Sequence, residues 1–314
     1  MKLVVVIPAY NEEKTIGTVI EAVPRNMRRI NNIDILVVDD GSTDKTVEVS
    51  KRNGASVVSH GINEGVGVAF QTGIKNALDM GADIIVNIDA DGQFNPNDIE
   101  KLIEPIIFNR ADVVTASRFK DKNLMPKMPW HKKLGNKFFS WLISSLINEK
   151  FYDVSCGFRA YSRETALNLN LFGKFTYTQE SFLDLGSKGM RIVEVPLKIK
   201  GVREYGKSKV ANNVIRYGFK ALWIIMKTVR DYKPLMFFGT FGVLSFVIGL
   251  FFTIFVFIHW LNTNHTTPYT QMITVGAVFL ILGFLLIILA LIADMMTRIK
   301  NNQERILYEL KRDR

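Results

Sequence analysis

The sequence has 314 residues, of which 48% are hydrophobic, and it carries a formal net charge of +10. Its length allows one large domain or two ordinary domains, and its single cysteine, Cys156, excludes an intramolecular disulfide. The positive charge is typical of proteins that meet nucleic acid, an anionic membrane surface or phosphorylated substrates.

The N-terminal part of the chain alternates between short apolar runs and helical patterns. The apolar runs begin at Leu3, Ile33, Ser56, Asp83 and Asp112. The helical patterns between them cover residues 12–23, 44–53, 67–80 and 97–108. Apolar runs separated by such helices indicate parallel strands that are buried on both faces. We therefore predict an α/β fold with a Rossmann-like, mostly parallel sheet and flanking helices.

Polar loops follow three of the predicted strands, with the sequences PAYNEE, DDGSTD and DADGQ. Ligands of parallel α/β sheets bind beyond the carboxyl ends of the strands, so we expect these loops to converge on one edge. Asp40 ends the second strand, where a carboxylate can accept hydrogen bonds from a nucleoside base, and Tyr10 and Glu12 follow the first. The later segment GVGVAF lacks the full dinucleotide fingerprint and therefore does not indicate nicotinamide binding.

The loop after the fourth strand contains Asp89, Asp91 and Gln93. Paired carboxylates suit a hard divalent cation, Mg²⁺ or Mn²⁺, which prefers oxygen ligands and commonly shares them with substrate phosphates. In this interpretation Asp91 and Gln93 reach the metal, and Asp89 supports the nucleotide side. The alternative is a turn closed by Asx hydrogen bonds.

Two amphipathic segments follow the predicted sheet. In the helical segment that begins at Trp130, apolar residues recur at Leu134, Phe138, Trp141, Leu142 and Leu146. This stripe fits either packing on the sheet or contact with a membrane. A second segment, from Val214, leads directly into an apolar span, and we expect it to lie along the membrane interface.

Two segments, which begin at Leu235 and Met272, are long enough and apolar enough to cross a bilayer. Lys and Arg flank the pair but are absent from the connector, so the positive-inside rule predicts that the catalytic region and the C-terminus are cytoplasmic. The N-terminus has no signal-peptide pattern. In the basic tail, Ile299, Ile306 and Leu310 have helical or heptad-like spacing, which raises the hypothesis of a homo-oligomer.

The predicted organisation has four parts. Residues 1–212 form the cytoplasmic domain and 213–233 a juxtamembrane amphipathic helix. Residues 234–293 form a transmembrane hairpin, and 294–314 form a cytoplasmic, helical tail. Two membrane spans favour a membrane surface or phosphorylated substrates over nucleic acid as partners of the basic chain.

Several motifs occur in an order that is far more specific than any one of them. They are VVVIPAYNEE, VVDDGSTD, GVGVAFQTGI, NIDADGQFNP, SRF, SCGFRAYSRE and FTYTQESFLDL. Over residues 1 to about 212 the sequence resembles the inverting family 2 glycosyltransferases with a GT-A fold. More narrowly, it is similar to polyprenyl-phosphate sugar synthases such as dolichol-phosphate mannose and glucose synthases.

The resemblance implies the transfer of a monosaccharide from a nucleotide sugar to a membrane polyprenyl or dolichyl phosphate, which supplies lipid-linked sugar for glycosylation or cell-surface glycans. GDP-mannose, UDP-glucose and UDP-N-acetylhexosamine all remain open as donors. The resemblance also implies that the nucleotide is held by Pro8, Tyr10, Glu12, Asp40 and Asp89. The diphosphate and metal are then served by Asp89, Asp91 and Gln93.

Both substrates are anionic and the leaving group gains charge, so cations must converge on the reaction. The residues that we predict at the acceptor phosphate are Ser117, Arg118, Arg159, Arg203, Lys207 and Lys209. Arg118 and Arg159 join Asp89 and Asp91 as predicted catalytic residues, whereas Lys207 and Lys209 suit a membrane surface equally well. Gln179 and Glu180 are predicted to orient the sugar or the acceptor, the alternative being a simple helix start.

Three other functions are consistent with parts of this pattern. A processive polysaccharide synthase shares the catalytic domain, but its Q-x-x-R-W motif is absent from the sequence. A membrane-anchored protein that binds nucleotide sugars without turnover is a second alternative, which the paired acids disfavour. A nucleotidyltransferase is a third, and the absence of a Gly-rich, basic signature after the first strand disfavours it.

Overall fold

The computed structural model describes residues 1–126, 128–171, 173, 177–201, 222–223, 225–227 and 229–312. The chain forms two compact units, Met1–Ile225 with Leu310–Arg314, and Met226–Glu309. The predicted boundary at residue 212 and most of the predicted juxtamembrane helix lie outside the described residues, so the four-part organisation stays a prediction.

A seven-stranded sheet forms the centre of the first unit in the described part of the chain. Its strands are β1 (Lys2–Ala9), β2 (Asn32–Asp39), β3 (Ser56–Ser59), β4 (Ile84–Asn87), β5 (Val113–Ser117), β6 (Arg159–Ser162) and β7 (Ile192–Pro196). The strand order is β3-β2-β1-β4-β6-β5-β7, and only β6 is antiparallel to its neighbours. The predicted mostly parallel α/β fold is confirmed, although β6 and β7 were not among the predicted strands.

The register of the sheet places the polar loops at one edge. Ala9 pairs with Asp39, so β1 and β2 end level with each other. Asn87, the last residue of β4, pairs with Arg159, the first residue of β6. Because β6 runs antiparallel, the segment that enters it lies at the edge where β1, β2 and β4 end.

Helices cover both faces of the sheet. They are α1 (Ile16–Glu21), α2 (Thr46–Arg52), α3 (Val66–Asp79), α4 (Ile99–Ile107), α5 (Trp130–Ile147), α6 (Arg163–Asn168) and α7 (Thr178–Ser187). On one face, α1 and α4 bury their apolar residues against alternate residues of β1, such as Val5 and Ile7. On the other face, α3 packs on β1 and β2, where a Cβ at Gly73 would overlap the Val6 side chain. Burial on both faces explains why the central strands are continuously apolar.

Helix α5 packs through a face other than the predicted apolar stripe. Asn136, Phe139, Ser140 and Ile143 are buried at helical spacing. Of the predicted stripe, Leu134, Phe138 and Trp141 are exposed by 59%, 46% and 64%. The helix itself is where we predicted it. The stripe is exposed at these three residues, whereas Leu142 and Leu146 are half-buried.

The second unit contains two long apolar helices, α8 (Pro234–Thr263) and α9 (Thr270–Arg312), which are long enough and apolar enough to cross a membrane. They approach each other closely at glycines, because a Cβ at Gly249 would lie 2.6 Å from the Leu280 nitrogen and one at Gly283 would lie 2.6 Å from the Phe246 nitrogen. Ser245 also donates across to the Phe279 carbonyl at 3.0 Å. Small residues at such contacts are characteristic of helix pairs in membranes.

Candidate active site

The loops after β1 and β2 are joined by reciprocal hydrogen bonds. Asn11, in the left-handed region with φ of 52°, donates its N–H to Ser42 Oγ at 2.8 Å. Its Oδ1 accepts the N–H of Thr43 at 2.7 Å. The N–H of Glu12 donates to Thr46 Oγ1 at 2.8 Å. The two loops therefore form one structural block at the carboxyl edge of the sheet.

Three residues predicted to hold the nucleotide lie along this block. Pro8 is buried within β1, and Tyr10 and Glu12 are half-buried beyond it. The Glu12 carboxylate accepts the Thr15 hydroxyl at 3.2 Å. The structure thus brings these residues to the predicted edge.

Asp40, also predicted to hold the nucleotide, anchors a neighbouring loop. Its carboxylate accepts the N–H groups of Glu64 and Gly65 at 2.9 Å each. Its Oδ1 also lies 3.1 Å from Nδ1 of His60, whose Nε2 is 2.9 Å from Thr72 Oγ1. Asp40 therefore fixes the chain that leads into α3, and its partner His60 is not among the predicted site residues.

The paired acids follow β4 as predicted. Asp91 is 3% exposed, and its Oδ1 accepts the Gln93 N–H at 3.0 Å, so the Asx turn given as the alternative is present as well. The Gln93 side chain donates Nε2–H to the Lys200 carbonyl at 2.9 Å, and the Gln93 backbone carbonyl accepts the Lys200 N–H at 3.1 Å. This pairing fixes Gln93 against the chain beyond β7.

The side chains at this turn suit a hard divalent cation. Asp89, Asp91 and Gln93 offer carboxylate and amide oxygens, the ligands that Mg²⁺ and Mn²⁺ prefer. Within the described ranges, no cluster of three or more His, Cys, Asp or Glu side chains is placed to hold a metal. A site with two carboxylates fits a cation that keeps water or substrate phosphate as its other ligands.

Asp89 lies above a floor made by residues distant in sequence. A Cβ on Gly157 would be 3.1 and 3.2 Å from the two Asp89 carboxylate oxygens and 2.9 Å from the Tyr177 hydroxyl oxygen. Burial, and next the Asp89 charge, hold the pKa of Tyr177 well above its usual range. Gly157 and Tyr177 belong to the motifs SCGF and FTYTQE, but neither is among the predicted site residues.

Arg118 follows β5 and is held by Asp153. Its Nε donates to Asp153 Oδ2 at 2.6 Å and its Nη2 to Oδ1 at 2.8 Å, a bidentate pair. Nη2 also donates to Ser155 Oγ at 2.8 Å. The Asp153 side chain is fully buried, whereas that of Arg118 is 22% exposed. The buried Asp153 thus orients the guanidinium, part of which reaches the surface of the site.

A second carboxylate supports the segment that carries Asp153. Glu194 of β7 accepts the N–H of Tyr152 at 2.9 Å and that of Asp153 at 2.7 Å. Burial raises the pKa of Glu194, and these two N–H groups partly offset that effect. Ser117, predicted at the acceptor phosphate, is fully buried beside this segment and accepts the Lys120 N–H at 3.2 Å.

Arg159 does not reach the surface of the site. It is 1% exposed and donates to the carbonyls of Cys156 and Val154 and, at 2.6 Å, to Ser181 Oγ. Its predicted contact with a phosphate is therefore corrected: the guanidinium holds the turn before β6. Burial raises the pKa of the Cys156 thiol to about 12, which agrees with a packing role for that residue.

Gln179 and Glu180 lie in the first turn of α7. Gln179 is fully buried, and its Oε1 accepts the Thr178 hydroxyl at 2.7 Å. The Glu180 carboxylate accepts the Gly173 N–H at 3.0 Å. Three further predicted residues, Arg203, Lys207 and Lys209, lie outside the described residues.

Residues 4–168 match the family described as glycosyl transferase family 2. The chain belongs to this family. A UDP-N-acetylglucosamine–dolichyl-phosphate N-acetylglucosaminyltransferase from Methanococcus voltae is 35% identical over 70% of this chain and 93% of its own length. An undecaprenyl-phosphate mannosyltransferase from Micrococcus luteus is 30% identical over 71% of this chain and 96% of its own length.

Solved structures show a related fold. Glucosyl-3-phosphoglycerate synthase from Mycobacterium tuberculosis, in complex with Mn²⁺, UDP and glucosyl-3-phosphoglycerate, has a TM-score of 0.55 and 22% identity. The match covers 73% of this chain and 78% of that one. The GT-A fold predicted for this family 2 glycosyltransferase is thereby confirmed.

Proposed function

We propose that this family 2 glycosyltransferase transfers a monosaccharide from a nucleotide sugar to a membrane polyprenyl or dolichyl phosphate, with inversion at the anomeric carbon. The observation that carries the proposal is the combination of a site for an anionic donor with two candidate membrane helices. Two relatives that share at least 30% identity with the chain are named for transfer to dolichyl or undecaprenyl phosphate.

The donor binds at the edge where β1, β2 and β4 end. Tyr10, Glu12 and Asp40 contact or frame the nucleoside, and Asp91, Gln93 and Asp89 would hold a Mg²⁺ or Mn²⁺ ion. The Mn²⁺ and UDP named for glucosyl-3-phosphoglycerate synthase support this assignment. When bound, such an ion stabilises the charge that develops on the leaving nucleoside diphosphate.

The acceptor phosphate is its own nucleophile. A phosphate monoester has a second pKa near 6, so it is largely deprotonated at neutral pH and needs no side chain as general base. One of its oxygens attacks the anomeric carbon from the side opposite the leaving group, which gives inversion. Arg118, held by Asp153, attracts this phosphate, and Arg203, Lys207 and Lys209 add positive charge.

The apolar helices anchor the enzyme beside its lipid substrate. A polyprenyl phosphate stays in the bilayer, so anchoring raises its effective concentration at the site without any new contact. The positive-inside rule places the catalytic unit and the C-terminus in the cytoplasm, where nucleotide sugars are available.

The decisive experiment is sugar transfer to a short polyprenyl phosphate by the full chain in detergent. Radiolabelled GDP-mannose, UDP-glucose and UDP-N-acetylglucosamine are compared, each with Mn²⁺ or Mg²⁺. We expect label to enter the lipid phase from one donor and to remain in the aqueous phase when the metal is chelated. Absence of a lipid product from all three donors would contradict the proposal, and transfer unaffected by chelation would contradict its metal-dependent part.

A further inference from the structure

Three residues from separate parts of the chain meet below Asp89. Asn87 ends β4, Gly157 precedes β6, and Tyr177 precedes α7. Asn87 and Gly157 are 70 residues apart, and Asn87 and Tyr177 are 90 residues apart. Their meeting therefore depends on the antiparallel insertion of β6 beside β4.

Hydrogen bonds and ring stacking fix most of this floor, although the buried Asn87 Oδ1 has no hydrogen-bond partner among the described residues. Asn87 Nδ2 donates to the Gly157 carbonyl at 3.0 Å and to the Tyr177 hydroxyl at 2.7 Å. The Tyr177 ring stacks on Phe70, with 3.9 Å between ring centroids and 4° between planes. Asn87 is fully buried and Tyr177 is 2% exposed, so neither side chain has room to turn.

Gly157 provides the space in which the Asp89 carboxylate lies. A methyl group at this position would meet both Asp89 oxygens, at 3.1 and 3.2 Å, and the Tyr177 oxygen, at 2.9 Å. Gly157 is not among the glycines with positive φ, so its backbone conformation permits alanine. The need for glycine therefore comes from the two side chains above it and not from the backbone.

We propose that Asn87, Gly157 and Tyr177 are positioning residues that hold the Asp89 carboxylate where the cation and diphosphate of the donor meet it. This inference rests on the proposed function, because it assigns these residues to the donor half of that reaction. A carboxylate fixed in place before the donor arrives loses less freedom on binding, which favours both affinity and rate.

The test compares Gly157→Ala, Tyr177→Phe and the double variant with Gly135→Ala, all in the full chain. A Cβ at Gly135, within α5, meets no atom within 4 Å, which makes it a matched glycine control. Binding of Mn²⁺ in the presence of UDP or GDP is followed by the loss of the free-ion signal in electron paramagnetic resonance. KM for donor and acceptor, and the melting temperature, are measured alongside.

We expect Gly157→Ala to raise the Mn²⁺ concentration for half-saturation by about 10-fold or more, as loss of outer-shell partners does at metal sites. The donor KM rises with it, whereas the acceptor KM and the melting temperature stay near those of Gly135→Ala. Tyr177→Phe keeps the stacked ring and weakens Mn²⁺ binding less. In the double variant, the fold-loss of Mn²⁺ affinity is smaller than the product of the fold-losses in the two single variants. The reason is that phenylalanine removes the oxygen that the methyl group of alanine would meet.

Wild-type Mn²⁺ binding in folded Gly157→Ala would overturn the inference. So would a general loss, in which the melting temperature and both KM values change together. If the wild-type chain itself binds no Mn²⁺ with either nucleotide and transfers no sugar, the proposed function fails first, and the two failures are thereby distinguished.

Discussion

Three carboxylates at the candidate site accept hydrogen bonds from backbone N–H groups. Asp91 accepts the N–H of Gln93. Asp40 accepts the N–H groups of Glu64 and Gly65. Glu194 accepts the N–H groups of Tyr152 and Asp153. Such hydrogen bonds stabilise the ionised form of a buried carboxylate and fix its orientation. The carboxylates are therefore placed by the fold before any ligand binds.

Asp91→Asn tests the role of the negative charge with the turn preserved, because the asparagine oxygen can still accept the Gln93 N–H. We expect sugar transfer to fall by at least about 100-fold, the scale of losing one electrostatic group that acts on the transition state. Circular dichroism should show an unchanged fold. Asp98→Asn, in the ion pair with the exposed Lys101, serves as the control and should retain activity. Wild-type turnover in Asp91→Asn would exclude the metal assignment.

Asp153→Asn tests whether Arg118 acts on the acceptor. The change weakens the bidentate pair and leaves the guanidinium less well oriented. We expect KM for polyprenyl phosphate to rise by about 10-fold and KM for the nucleotide sugar to stay within about 2-fold, because only the acceptor needs that cation. An equal rise in both KM values would indicate damage to the whole edge of the sheet.

Helix α5 has two faces with separate tasks. Its buried face holds the segment before β6, since Asn136 donates to the Tyr152 carbonyl at 2.8 Å and accepts the Ser155 hydroxyl at 2.8 Å. Its opposite face exposes Trp130, Leu134, Phe138 and Trp141 beside the exposed Lys133 and Lys137. Aromatic and basic residues on one helix face are typical of segments that lie in a membrane interface.

An introduced cysteine can report on this face, because Cys156 is buried and its thiol has a pKa of about 12. The full chain with Leu134→Cys, labelled with a fluorophore and reconstituted in anionic liposomes, should be quenched by nitroxide-bearing lipids. The same label at Lys51→Cys, at the exposed end of α2, should be quenched only by a water-soluble reagent. Equal behaviour at the two positions would show that α5 does not touch the bilayer.

At the scale of the whole molecule, the sequence predicted the sheet and the paired acids because both are local patterns. The runs at Leu3 and Ile33 are apolar since their strands are buried on both faces, and Asp89 follows such a run directly. The floor below Asp89 could not be predicted, because Gly157 and Tyr177 reach it only through the antiparallel β6. The burial of Arg159 was missed for another reason, since arginine is seldom fully buried and no local pattern marks the exception.

The proposed topology has two membrane crossings and therefore puts both chain ends on one side, which can be measured. We expect His265→Cys, in the connector between α8 and α9, to react with a membrane-impermeant maleimide in intact spheroplasts. Lys51→Cys should react only after the membrane is opened, because the basic flanks of the hairpin favour the cytoplasm. The opposite pattern of labelling would reverse the proposed topology.

The hydrogen bonds between Gln93 and Lys200 have a consequence for synthesis on the ribosome. The two residues are 107 positions apart, so the acidic turn is made long before the segment that fixes it. At about 5 to 20 residues per second, that interval lasts roughly 5 to 20 s. During this time the ribosome synthesises β5, β6, α7 and β7, which all lie between the two residues in the sequence. The acidic turn therefore gains its Lys200 partner only shortly before the ribosome reaches the first residue of α8, Pro234.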